Sequence, residues 1–296
     1  MLKVPVFKGS CTALVTPFDQ HGIDYPRLGK NIDFQFENGS SAILVSGTTG
    51  ENATLSPNEY EELLRFCIRA NKGRMKLIVG IGSNNTKTAL RNAETAKFLG
   101  ADAVLMVTPY YNKTTQKGLI EHFTYVADRV EIPLILYNVP SRTGIGIKAE
   151  SYKELSQHPN INGVKEASGD LSLAARTRSL CGDELFIWSG NDDNTVPLMA
   201  LGALGVISVA SNLVPGVVSK ICELCLGNDF SSATELYTKY SALFSALFME
   251  TNPIPVKTAM KLMDMDSGLM RLPLTSMNDD NLLSLRSIMR DAGLNV

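Results

Sequence analysis

Ile161-Asn162-Gly163-Val164-Lys165-Glu166-Ala167-Ser168-Gly169-Asp170 reads as a short buried strand running into a glycine-bearing loop. Apolar Ile161 and Val164 lead up to a lysine placed where the strand meets its loop. Lysine is rarely put in a buried strand without a reason. Burial penalises an ammonium, so an amine held there is a candidate nucleophile. The competing reading is a strand-end lysine paired with a carboxylate such as Glu166 or Asp170. The segment by itself leaves both open.

Outward from it, the same kind of run recurs. Cys11–Val15, Ala42–Val45, Leu77–Ile81, Ala103–Val107, Leu134–Leu136, Ile161–Val164, Leu185–Trp188 and Gly205–Val209 are each short and nearly continuous in apolar residues. Each is followed by polar or glycine-containing sequence, as expected of strands buried on both faces. Between them lie segments of helical period. Ser56-Pro57-Asn58-Glu59 is a capping box with proline at the first helical position, followed by inward Leu63, Leu64 and Cys67. Thr86 to Leu99 offers Ala89, Ala93, Ala96 and Leu99 as a packing stripe. Eight strands alternating with helices predict an α/β fold, a closed (β/α)₈ TIM barrel. The competitor, an open doubly wound sheet, lacks its usual G-x-G-x-x-G turn or P-loop here.

After about Leu226 the strand signal stops. Ala233, Leu236, Tyr237, Tyr240, Leu243, Phe244 and Leu247 follow helical spacing. Asn252-Pro253-Ile254-Pro255 interrupts, Val256 to Met263 restarts a helix, and Leu282, Leu285 and Ile288 form a last stripe. The expected organisation is a barrel over 1–226 and a three-helix extension over 227–296 packed on it.

Composition narrows the function classes. With 296 residues, 44% of them hydrophobic, the chain is long enough for a barrel of about 250 residues. A net charge of −2 gives no footprint for nucleic acid. No stretch approaches the roughly 20 apolar residues of a membrane span, and Met1-Leu2-Lys3-Val4-Pro5-Val6-Phe7 is not read as a secretory signal. Five scattered cysteines fit reduced thiols in a cytoplasm. The lone Cys222-x-x-Cys225 pair reads as core packing. His21, His122 and His158 lack ligand spacing, so no metal site is expected.

In barrel enzymes the chemistry sits at the C-terminal ends of the strands. Those ends carry a concentrated polar set. Strand two runs into Ser46-Gly47-Thr48-Thr49-Gly50-Glu51, a turn whose backbone N–H groups and hydroxyls can converge on an anion. Strand four ends in Thr108-Pro109-Tyr110-Tyr111-Asn112. Strand five ends in Tyr137-Asn138-Val139-Pro140-Ser141-Arg142-Thr143-Gly144, with a tyrosine at the mouth and an arginine able to grip a carboxylate bidentately. Strand seven ends in Ser189-Gly190-Asn191-Asp192-Asp193, whose carboxylates are expected to cap the next helix. Strand eight, Gly205-Val206-Ile207-Ser208-Val209, is expected to be wall. A lysine near a tyrosine suits imine formation with a keto acid, and the tyrosine can move the protons. No metal or organic cofactor is required, because the iminium is itself the electron sink.

On Gly47-Thr48-Thr49-Gly50-Glu51, the Tyr137–Gly144 segment and Gly163-Val164-Lys165-Glu166-Ala167-Ser168-Gly169-Asp170, the chain resembles the dihydrodipicolinate synthase family. This lies among the pyruvate-dependent class I aldolases and lyases that include N-acetylneuraminate lyase. The match runs in order from Gly9 through Asn252-Pro253-Ile254-Pro255. The resemblance implies a lyase of lysine and diaminopimelate biosynthesis that condenses pyruvate with L-aspartate 4-semialdehyde. Lys165 would form the Schiff base. Tyr137, Thr48 and Tyr111 would relay protons, Tyr111 reaching in from a neighbouring subunit. Thr49 and the glycine turn would hold the pyruvate carboxylate, with Gly190 and Ile207 among the substrate contacts. Arg142 would bind the semialdehyde carboxylate. The implied assembly is a cytoplasmic homotetramer, a dimer of dimers.

Some members bind lysine at the tight dimer interface. Asn84, Tyr110 and Asn52-Ala53 match positions used there. However, Pro57 and Tyr60 replace histidines, and Thr88 replaces the carboxylate that receives the effector's amine. Weak or absent lysine inhibition is therefore expected. Two other readings stay open on sequence alone: a sister aldolase acting on a sialic or sugar acid, and a non-catalytic barrel.

Overall fold

The computed structural model describes residues 3–296; the first two residues of the N-terminal stretch read above lie outside them. Eight parallel strands close on themselves: β1 (Gly9–Ala13), β2 (Ala42–Val45), β3 (Lys76–Gly80), β4 (Ala103–Val107), β5 (Leu134–Asn138), β6 (Ile161–Glu166), β7 (Phe186–Ser189) and β8 (Gly205–Ser208). The order around the barrel is sequential, with β8 returning to pair with β1. Helices α1 (Tyr25–Glu37), α2 (Pro57–Asn71), α3 (Thr86–Leu99), α4 (Gln116–Ala127), α5 (Ala149–Leu155), α6 (Leu171–Cys181), α7 (Thr195–Ala200) and α8 (Pro215–Leu226) follow the strands. The (β/α)₈ barrel read from the sequence is what the chain forms. A two-stranded hairpin, Phe18–Asp19 with Gly22–Ile23, is an addition that the sequence reading did not anticipate.

Strand alternation divides the core in two. Ala42 and Leu44 face the barrel interior with Cys11, Ile78, Leu105, Ile135, Trp188 and Ile207, whereas Ile43 and Val45 face the helices. The interior closes at the bottom on Trp188, on which Phe7 stacks at 4.9 Å between ring centroids. Gly163 is obligatory here: a Cβ at this position would lie 2.3 Å from the carbonyl oxygen of Phe186 and 2.6 Å from the Trp188 ring. The tryptophan thus fills the floor beneath the next inward residue of β6, which is Lys165.

Helix α2 starts as its sequence demands. Ser56 Oγ accepts from Glu59 N, Glu59 reaches back to Ser56 N at 2.9 Å, and Pro57 occupies the first turn. Cys222 and Cys225 are buried on α8. Burial pushes both thiols up, which keeps them protonated. Past α8 the chain forms α9 (Phe230–Ala246), α10 (Ile254–Leu262) and α11 (Asp279–Asp291). Helix α9 packs on α8, and α11 on α9 and α10. Among the described residues no helix is long and apolar enough to cross a membrane.

Candidate active site

Lys165 sits inside β6 and is only 5% exposed. In register it lies between Tyr137 on β5 and Trp188 on β7. Its Nζ is 4.6 Å from the centroid of the Tyr137 ring. The carboxylates that might have neutralised it are engaged elsewhere. Glu166, the next residue, points to the opposite face of the strand. There it accepts from Asn138 Nδ2 at 3.0 and 3.1 Å, Tyr152 Oη at 2.9 Å and Ser168 N at 2.8 Å. Asp170 caps α6 by accepting from Leu173 N at 2.9 Å. The ion-pair reading of Lys165 therefore fails, and its amine faces a cavity of about 590 Å³.

The Glu166 network also explains why β5 and β6 run further than the apolar pattern suggested. Asn138 and Glu166 are buried polar residues whose side chains satisfy one another, so each tolerates a strand position. The extension carries Tyr137 and Lys165 to the rim as strand residues with fixed backbones rather than as loop residues.

The cavity brings together most of the expected set: Thr48, Thr49, Tyr137, Arg142, Lys165 and Gly190 all line it. The turn after β2 is bracketed by two left-handed non-glycine residues, Ser46 (φ 57) and Glu51 (φ 55). Gly50 N and Glu51 N bond back to Gly47 O and Thr48 O at 3.1 Å each. The N–H groups of Thr48 and Thr49 are left unused by the turn's own hydrogen bonds and are available to an anion. Gly190 is needed for space, since a Cβ there would come within 2.6 Å of Ala167 Cβ and 3.1 Å of Lys165 Cγ. Arg142 lies on a single helical turn, Pro140–Thr143, and its Nη2 donates to the carbonyl of Asn252 at 3.2 Å.

Asn252, an interruption between helices in the sequence pattern, lies at the site. It donates from Nδ2 to Thr49 Oγ1 at 3.0 Å while its carbonyl holds Arg142. One residue from the C-terminal segment thus orients both proposed carboxylate binders. Its Asn-Pro-Ile-Pro context was visible, but nothing local placed it across the barrel mouth.

Two expected residues are not brought to the amine. Tyr111 is 91% exposed, holds φ 68 and lies outside the cavity lining. Ile207 is fully buried in the barrel interior and does not line the cavity; Val209 does. The expected capping by Asp192 is corrected. This carboxylate is buried and accepts from Ser208 Oγ, Val209 N at 3.0 Å and Ala210 N at 2.9 Å, so it pins the turn after β8 instead of the helix after β7. Among the described residues no group of three or more His, Cys, Asp or Glu side chains is placed to hold a metal ion.

The site is therefore a buried primary amine beside a phenol, with hydroxyl and N–H donors on one side and a guanidinium at the entrance. That constellation suits nucleophilic attack on the carbonyl of a small keto acid.

Comparison with known proteins gives one consistent picture. The model of the dihydrodipicolinate synthetase family matches residues 6–292. A 4-hydroxy-tetrahydrodipicolinate synthase from Caldicellulosiruptor saccharolyticus is 49% identical over 294 residues, covering 99% of each chain. The crystal structure of dihydrodipicolinate synthase from Aquifex aeolicus superposes with a TM-score of 0.96 at 44% identity, covering 97% of this chain and 99% of that one. The dihydrodipicolinate synthase of Acinetobacter baumannii complexed with pyruvate gives 0.96 at 40% identity, covering 97% and 99%.

Proposed function

The chain belongs to the dihydrodipicolinate synthetase family, and from that premise we propose that it condenses pyruvate with L-aspartate 4-semialdehyde as a 4-hydroxy-tetrahydrodipicolinate synthase. The observation that carries the reading is Lys165, a buried lysine paired with neither Glu166 nor Asp170, facing a polar cavity beside Tyr137. The pyruvate complex of the Acinetobacter relative supports the first substrate.

Lys165 Nζ attacks C2 of pyruvate to give a carbinolamine. Loss of water, with Tyr137 handing over the proton, gives the iminium. Thr49 and its glycine turn hold the pyruvate carboxylate, so C3 is fixed in the mouth, while Thr48 joins Tyr137 in the proton relay. Loss of a C3 proton gives the enamine, whose C3 attacks the aldehyde carbon of the second substrate. Arg142 grips that substrate's carboxylate at the entrance. The substrate amine then attacks C2, closes the ring and expels Lys165 as the free amine. One water leaves overall, and no oxidant or reductant is consumed.

Residues 1–226 serve as the catalytic barrel and 227–296 as an extension that closes over its mouth. The working assembly is a cytoplasmic homotetramer in which Tyr111, exposed on its own protomer, completes the proton relay of its neighbour. Lysine is a poor inhibitor. Tyr60 is buried with its hydroxyl donating to Gly80 O at 3.2 Å, Pro57 is in the first turn of α2, and Thr88 supplies no counter-charge for an effector amine. A submillimolar inhibition constant for lysine overturns that part.

The decisive experiment assays pyruvate with aspartate semialdehyde alongside borohydride inactivation. Turnover and a pyruvate adduct mapping to Lys165 are expected. Cleavage of N-acetylneuraminate without turnover of the semialdehyde moves the chain to a sister aldolase, and absence of any adduct ends the Schiff-base reading.

A further inference from the structure

The turn that faces pyruvate is held from outside the barrel by a buried ion pair. Lys257 on α10 is fully buried, and its Nζ donates to Glu51 Oε1 at 2.7 Å and to Thr16 O at 2.9 Å. Thr16 Oγ1 in turn donates to Gly50 O at 2.8 Å. The other Glu51 oxygen accepts from Arg271 N at 3.0 Å. The ammonium also rests 4.5 Å from the centroid of the Phe18 ring. Lys257 therefore grips the end of the Thr48–Thr49 turn twice, once through Glu51 and once through Thr16.

Glu51 needs that grip. It occupies the left-handed region, which a side chain larger than glycine's enters at a cost, and such strain persists only where surrounding contacts over-determine it. A surface turn would relax. Here two ties from the C-terminal segment, Lys257 and the Arg271 amide, meet on one carboxylate. Further along the same segment, Asn252 reaches Thr49 directly.

We infer that Lys257 is a positioning residue for pyruvate binding, setting the Thr48–Thr49 turn through its ion pair with Glu51. The inference rests on the synthase reading of that turn. Its consequence is specific: loosening the clamp displaces Thr48 and Thr49 while leaving Lys165, Tyr137 and Arg142 on their own strands and turn. Displacement of about 1 Å is enough to cost up to on the order of a hundredfold.

The test uses Lys257→Met, Glu51→Gln and the double variant, with pyruvate affinity measured by calorimetry and by steady-state kinetics. Removing one partner leaves the other buried and unpaired, so the single variants lose thermal stability and the double recovers it. The expected result is a KM and Kd for pyruvate raised about tenfold or more in all three proteins. The KM for the semialdehyde should stay within about threefold, whereas kcat also falls, because Thr48 of the displaced turn serves the proton relay. A double variant that regains both stability and wild-type pyruvate affinity makes the pair a fold staple and overturns the inference. If Lys257→Met alone does not fold, Glu51→Gln and the double variant decide the matter on the same readouts. Wild-type protein separates the two layers. No borohydride-trapped pyruvate at Lys165 in wild type removes the synthase reading and this inference with it. Trapping in wild type with unaltered pyruvate affinity in the variants removes this inference alone.

Discussion

Lys165 is left un-neutralised by the two carboxylates nearest to it in the sequence. Glu166 is turned to the opposite face of β6 and saturated by Asn138, Tyr152 and Ser168, while Asp170 is spent on a helix cap. Lys165→Ala is expected to abolish borohydride trapping and to lower turnover by on the order of a thousandfold or more, with an unchanged far-UV spectrum. Tyr137→Phe keeps the ring beside the amine and removes only the proton donor, so a loss of about a hundred- to ten-thousandfold in kcat is expected. Gly190→Ala tests geometry alone. The new methyl would press on Ala167 and on Lys165 Cγ, so trapping should slow although no reacting group is removed. Borohydride trapping rates compared across these variants check all three.

At the scale of elements, the C-terminal helices do more than cover apolar surface. The segment from Asn252 through Arg271 reaches Thr49, Arg142, Glu51 and, through Arg271, Glu59. It also buries Asp266, whose carboxyl sits near Lys257, Arg27 and Glu51. Burial outweighs the nearby cations and pushes that carboxyl up to about 6 from its ordinary 3.8. The folded form thus takes up a proton before the unfolded chain does. Ionised Asp266 costs stability above about pH 6, and the cost fades as the pH falls toward about 4. At pH 8 the difference amounts to about 3 kcal/mol. Asp266→Asn should therefore be more stable than wild type at pH 8, with the gap closing by about pH 4. Denaturant unfolding of both proteins across that range measures it. Position and spacing showed helices after Leu226 in the sequence, but not that their connections would carry the ionic ties. Those ion-pair partners are more than 200 positions apart, Lys257 lying 206 positions after Glu51.

At the scale of the whole molecule, the protomer leaves one expected proton carrier outside its own site. Tyr111 stands 91% exposed in a left-handed conformation that the protomer's own cavity does not use. Tyr111→Phe is expected to lower kcat by about tenfold or more, as loss of a positioned proton carrier does, without altering the fold. Equal mixtures of Tyr111→Phe and Lys165→Ala proteins, dissociated and reassembled, should regain part of the lost turnover, because one mixed site then holds both native groups. No regain places Tyr111 outside the relay.

The sequence by itself determined the barrel and the amine. Eight β-branched runs separated by capped helices admit few other packings, because strands buried on both faces need helices on the outside and side chains within. Lysine in such a run is conspicuous for the same reason: nothing in the local pattern solvates it. What only the tertiary structure decided was which charges meet. It assigned Glu166 to Asn138 and Tyr152, Asp192 to the turn after β8, and Lys257 to Glu51. Apolar periodicity is a property of neighbours along the chain and survives in the sequence. Ion pairs and hydrogen bonds at 3 Å depend on closure of the barrel, which sets distant segments side by side only once it has formed.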